Sequence, residues 1–291
     1  ALASDNSWLR RAAADALGAL GDERSAAALV AALADDAPDV RRAAALALGS
    51  TGDAEAVEPL KALLEASADG PLADAAAWPA EHVKSEAPEV RRAAAVALGE
   101  LGDRSAMTTL VAALRDPNAG VRAAGAWALA MLGGPDVVQP LMAGLRDRSC
   151  DVRQASAEAL SRLGSSVVPS LVAALTDDSL ELRRQAAGVL GRVGDPRAVL
   201  PLIAALEGED HWLRRAAASA LGCLADERAV GALSTALREA GPSTRCAAAQ
   251  ALGLIGHPSS AIALREALSD ASPEVRRVAA EALVMLSPVP G

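Results

Sequence analysis

The residues of this chain best equipped for chemistry are three histidines, three cysteines and a regularly spaced row of arginines. His82, His211 and His257 fall at unrelated points of the sequence. A metal site needs several ligands at fixed helical or turn spacing, so neither a metal nor a cofactor is expected. Cys150, Cys223 and Cys246 are odd in number and lack metal-binding spacing. They read as free thiols of a reducing, cytoplasmic setting. No nucleophile, base and acid follow one another in a triad order, and no Gly-rich phosphate loop is present. No catalytic residue can be named on these grounds. His211 and Trp212, directly after Asp210, are suited to stacking on a ligand or to covering a turn.

The arginines are more informative. Arg10, Arg41, Arg91, Arg122, Arg153, Arg183, Arg214, Arg245 and Arg276 are separated by 31, 50, 31, 31, 30, 31, 31 and 31 residues. Six residues before the arginine stands an acid at Asp35, Asp116, Asp147, Asp177, Glu239 and Asp270. A carboxylate and a guanidinium at a fixed interval predict a ladder of bidentate ion pairs joining neighbouring repeats. Gly208 and Ser85 interrupt the acid slot, and Glu207, Glu209 or Glu86 is expected to substitute.

The elements that must hold this ladder can be read from the same period. A few residues before the arginine comes a capping residue such as Asn6, Asn118, Ser149, Ser179 or Asp210, with Ala37 and Ala87 as exceptions. Pro38, Pro88, Pro242 and Pro273 follow at the first helical position. An apolar stripe with helical spacing, such as Leu182, Ala186, Leu190 and Val193, ends at Gly194, a left-handed cap position. Gly21, Gly52, Gly102, Gly133, Gly164 and Gly256 are its equivalents, and Ala225 breaks the rule. A second, shorter helix follows, as at Ala198–Leu206. A period of this length marks a solenoid. The expected fold is all-α, a right-handed α-solenoid of helix pairs. It forms one domain over 1–291, with repeats near 6–36, 37–67, 87–117, 118–148, 149–178, 179–209, 210–240 and 241–271, a half-repeat at 272–287, and an insertion at 68–87.

The phrases PDVRRAAALALGSTGD (38–53) and PEVRRAAAVALGELGD (88–103), with the short-helix pattern AVLPLIAAL (198–206), resemble the HEAT-repeat family, in its PBS-lyase HEAT-like class. That resemblance implies the solenoid fold and leaves function open. The class includes subunits of bilin-attaching lyases, deoxyhypusine hydroxylase and many bacterial scaffolds. The hydroxylase carries repeated His-Glu pairs, whereas no His here precedes Glu, which argues against that activity.

Composition narrows the partners. The net charge of −9 argues against nucleic acid, and 15 of the 26 arginines sit in the repeated Arg-Arg slots, so most basic charge is scaffold. No stretch of about 18 apolar residues is free of charge, so no membrane span is expected. The expected role is a scaffold or adaptor that binds a protein or peptide on the concave face, without catalysis. The alternative is a bilin-lyase-like or other enzyme holding a tetrapyrrole or another small molecule in the groove.

Candidate concave-face residues are Arg104, Thr108, Asp136, Gln139, Met142, Arg197 and Leu200, in a groove otherwise lined by small residues such as Ala112, Ala143 and Ala204. Four further residues could take part in recognition: Trp78, Trp127, His211 and Trp212. Leu46, Val96 and Trp127 are expected to make an exposed apolar strip beside the insertion, which Trp78 is expected to cover.

Overall fold

The computed structural model describes residues 1–21, 25–65 and 87–286. Most of the insertion, with Trp78 and His82, lies outside them, as does the expectation that Trp78 covers the apolar strip. Among the described residues there are 17 α-helices, and none is long and apolar enough to cross a membrane.

The chain forms two compact units, divided between Ala159 and Leu160. In the first, long helices α1 (Ser7–Leu20), α3 (Pro38–Thr51), α5 (Pro88–Leu101) and α7 (Ala119–Leu132) pack successively side by side. Short helices α2 (Ala26–Ala32), α4 (Val57–Glu65), α6 (Met107–Ala113) and α8 (Val138–Gly144) make the second layer. Helix α9 (Cys150–Arg162) contains the division between units. The second unit repeats the arrangement. Its long helices are α11 (Leu180–Val193), α13 (His211–Leu224), α15 (Pro242–Ile255) and α17 (Pro273–Leu286). Its short ones are α10 (Val168–Ala174), α12 (Val199–Glu207), α14 (Val230–Glu239) and α16 (Ser260–Ala267).

The local reasons match the sequence pattern. Asn6, Asn118, Ser179 and Asp210 accept backbone N–H groups of the first turn, satisfying donors that a helix start leaves open. Between long and short helix, Asp53, Asp103, Asp195 and Asp226 each accept the N–H two residues on and open a 3₁₀ turn. The core between the layers is Leu, Val and Ala, with Leu48, Leu98, Leu129, Leu190, Leu221 and Leu252 fully buried.

The long helices approach one another closely because small residues meet. A Cβ placed on Gly18, Gly49, Gly99, Gly191, Gly222 or Gly253 would lie 2.8–2.9 Å from the Cα of an alanine on the next long helix. Real Cβ atoms do not come that near. This glycine is therefore required by helix spacing and not by turn geometry.

Ala225 ends α13 in the left-handed conformation, φ 51° and ψ 34°, where the equivalent ends of α1, α3, α5, α11 and α15 carry glycine. A Cβ crowds the backbone there. Ala225→Gly is expected to stabilise the chain by about 1 kcal/mol, the relief of left-handed strain outweighing the entropy of the more flexible unfolded chain. A higher urea midpoint would check this, and a lower one would contradict it.

Candidate functional site

The ladder exists, with a different register from the one the sequence suggests. Arg122 donates from Nε and Nη2 to both carboxylate oxygens of Asp147, 25 residues ahead, at 2.8 Å each. Its Nη1 donates backwards to the backbone carbonyls of Asp116 and Pro117. Arg10 with Asp35, Arg91 with Asp116 and Arg245 with Asp270 make the same carboxylate contacts at 2.6–3.0 Å. The acid six residues before an arginine therefore offers it a carbonyl. That acid's carboxylate serves the arginine of the preceding repeat: Asp35 takes Arg10 on its carboxylate and Arg41 Nη1 on its carbonyl.

Arg10, Arg122 and Arg245 thus tie the turn before their own helix to the turn after the following short helix. The aspartate also accepts the N–H two residues on, as Asp147 does from Ser149. Its arginine, first, and this N–H hold the Asp147 carboxyl below the usual carboxylate range, against the opposing effect of burial. Where Gly208 replaces the acid, Arg183 reaches Asp210 at 2.9 Å, and neither Glu207 nor Glu209 substitutes.

A second row of polar contacts ties the turns inside the repeats. Arg104 donates to the Gly133 carbonyl at 3.1 Å and to Asp136 at 3.1 Å. Arg197 grips Asp195 and donates to the Ser165 carbonyl at 2.9 Å. The Arg197 side chain, and after it Ser165, holds the Asp195 carboxyl well below the usual range. Arg104, Asp136 and Arg197 are thus brought into contacts between neighbouring turns.

The other candidates separate into two groups. Thr108 on α6, Gln139 on α8 and Leu200 on α12 are exposed, each on the solvent face of a short helix. So are Ala112, Ala143, Ala173 and Ala204. Met142 is a correction: it points into the interior and is 8% exposed, because its position falls on the buried stripe of α8 with Val138 and Leu141.

The apolar strip also differs from expectation. Leu46 is exposed, but Val96 and Trp127 are half-buried. The Trp127 ring lies over Gly99, with Cζ3 3.0 Å from where a Cβ there would stand. The bare glycine provides the seat for the ring. At the start of α13, His211 and Trp212 lie 4.9 Å apart between ring centroids, tilted by 41°, with Trp212 48% exposed.

Among the described residues no three His, Cys, Asp or Glu side chains gather as a metal site would require. The three cysteines are free, and burial pushes the Cys246 thiol up, away from thiolate chemistry.

A sequence model of HEAT repeats matches residues 1–81, 79–161, 138–222 and 199–284. The chain belongs to the HEAT-repeat family. No curated protein matches it. Among solved structures, this HEAT-repeat chain is similar to Kap121p, with 13% identity over 98% of this chain and 36% of that one at a TM-score of 0.67. It is also similar to Kap95p in a structure with RanGDP, with 17% identity over 98% and 43% at 0.63. The complex of CpcE and CpcF of phycocyanin lyase from Nostoc sp. PCC7120 shares 25% identity over 52% and 99%, at 0.48. The karyopherin likenesses establish the α-solenoid fold of this HEAT-repeat protein and nothing finer.

Proposed function

We propose that this HEAT-repeat protein is a scaffold that binds a protein or peptide along the solvent face of its short helices. The observation that supports this is the side-chain row on that face. In the first unit it runs through Thr108, Ala112, Gln139 and Ala143, and in the second through Ala173, Leu200, Ala204 and Ile262. Alanines let a partner's backbone come close, and Leu200 and Ile262, each 64% exposed, supply apolar anchors. The charged candidates Arg104, Asp136 and Arg197 are engaged by neighbouring turns, which favours a docking face over a reaction centre. Repeat solenoids present surfaces of this kind to extended partners.

The test is affinity capture with crosslinking to identify the partner, followed by titration of that partner. Leu200→Glu is expected to weaken binding about tenfold or more, since it puts a charge in place of an apolar anchor. Leu254→Glu, at an exposed position on long helix α15, is expected to leave affinity within about twofold. Equal effects of the two variants would refute the short-helix face. Stoichiometric uptake of a free tetrapyrrole, read from visible absorbance, would refute the scaffold reading.

A further inference from the structure

The arginine row has a member without a carboxylate. Arg214 occupies the repeated slot on α13, and the residue 25 positions ahead is Glu239 where the complete rungs carry Asp. Among the described residues its side chain makes no hydrogen bond or ion pair, and its Nε is buried without an acceptor. The turn before it differs as well. Helices α12 and α14 continue for nine and ten residues, where α6, α8 and α10 stop after seven. The Gly208 and Glu209 carbonyls do not receive Arg214, although the equivalent carbonyls receive Arg122 and Arg183.

This broken rung borders a cavity of about 370 Å³ lined by Arg214, Glu207, Thr235 and Glu239, with Leu206 and Ala236 as apolar wall. Neither glutamate forms an ion pair or side-chain hydrogen bond among the described residues. A buried donor without an acceptor is uncommon in folded proteins. Here it sits beside a cavity of ligand-binding size. The two glutamates leave the lining with a net negative charge, so a bare anion such as phosphate is disfavoured. A ligand that presents one carboxylate between basic groups satisfies all three side chains.

We propose that this cavity binds a mixed-charge peptide segment, its carboxylate gripping Arg214 as Asp147 grips Arg122, and its flanking basic side chains meeting Glu207 and Glu239. The proposal rests on the peptide-binding reading above and supplies the chemistry of one site within it. The chain itself contains a segment of this type: Leu145–Ser149 reads LRDRS and delivers Asp147 to Arg122.

The probe is therefore the acetylated, amidated pentapeptide Leu-Arg-Asp-Arg-Ser, titrated into the whole protein by calorimetry. Saturable binding is expected, weakened about tenfold or more by Arg214→Gln and by Asn in place of the peptide's Asp. Arg192→Gln, at an exposed position of α11, should leave the affinity unchanged. The unfolding midpoint of Arg214→Gln should stay at the wild-type value, whereas that of Arg245→Gln falls. The proposal is overturned by absence of binding up to about 10 mM probe, or by undiminished binding to Arg214→Gln. A midpoint drop in Arg214→Gln as large as in Arg245→Gln would overturn it too, since Glu239 would then close the rung. If the probe fails while Leu200→Glu still weakens the captured partner, this site alone is rejected. If the probe binds and Leu200→Glu has no effect, the short-helix face alone is rejected.

Discussion

Arg122→Ala is expected to destabilise the chain by about 3–5 kcal/mol, the range for breaking one side of a buried ion pair. Arg122 and Asp147 are only 6% and 13% exposed at their side chains. The substitution leaves the Asp147 carboxylate buried without its guanidinium, and frees the Asp116 and Pro117 carbonyls that the same side chain held. Arg148→Ala, one residue beyond Asp147 and exposed, should change stability by less than about 0.5 kcal/mol. Urea melts of the two variants check the difference, and equal midpoints would remove the ladder as a source of stability.

The same pair sets a pH dependence. The folded-state pKa of Asp147 is depressed, so its contribution is fully present above the unfolded carboxylate value, about 3.9. It is lost as the pH falls below that value toward the lower folded one. Asp35 and Asp270, depressed by Arg10 and Arg245 first, act in the same direction. The wild type should therefore lose more stability than Arg122→Ala as the pH falls below about 4.

The fold was legible because each repeat states its helices redundantly. The Pro at the first helical position, the acid directly after it and the Gly after the last turn all place α3 at Pro38–Thr51 and α5 at Pro88–Leu101. Sequence spacing could identify the ladder residues but could not assign their partners. An Asp six residues before one arginine is also 25 residues after another, and both intervals recur with the same period. Geometry decides between them: the backbone carbonyl faces the near arginine and the carboxylate faces the far one.

The site was less legible for a related reason. Arg104, Asp136 and Arg197 stand out as polar letters beside small ones, but polarity at a repeat's inner turn also serves the neighbouring turn, and here it does. Met142 was misplaced because one step of helical phase separates the solvent face of α8 from its buried stripe. The Gly208 and Glu239 departures at the Arg214 rung were visible in the sequence. The longer α12 and α14, and the cavity between them, were not.

Two glycines of one helix should respond to alanine with opposite sign. An interior helical Gly normally costs about 1 kcal/mol relative to Ala, so Gly→Ala is a stabilising change wherever the methyl has room. Gly188 on α11 is exposed, and a Cβ there meets nothing within 4 Å. Gly188→Ala should raise stability by about 0.5–1 kcal/mol. Gly191, three residues on, faces α13, where a Cβ would lie 2.8 Å from the Cα and 3.0 Å from the Cβ of Ala220. The nearest obstacle is backbone, which cannot rotate away, so the two helices must separate and open the Leu190 and Leu221 core behind them. Overpacking of this kind costs about 1–3 kcal/mol, more than the gain in helix propensity, so Gly191→Ala should be destabilising. Urea midpoints moving in opposite directions would establish that helix spacing, and not turn geometry, requires the glycine of the repeated Leu-Gly pair. If both variants were stabilised, the close approach of α11 and α13 would be soft, and the periodic glycine would need another cause.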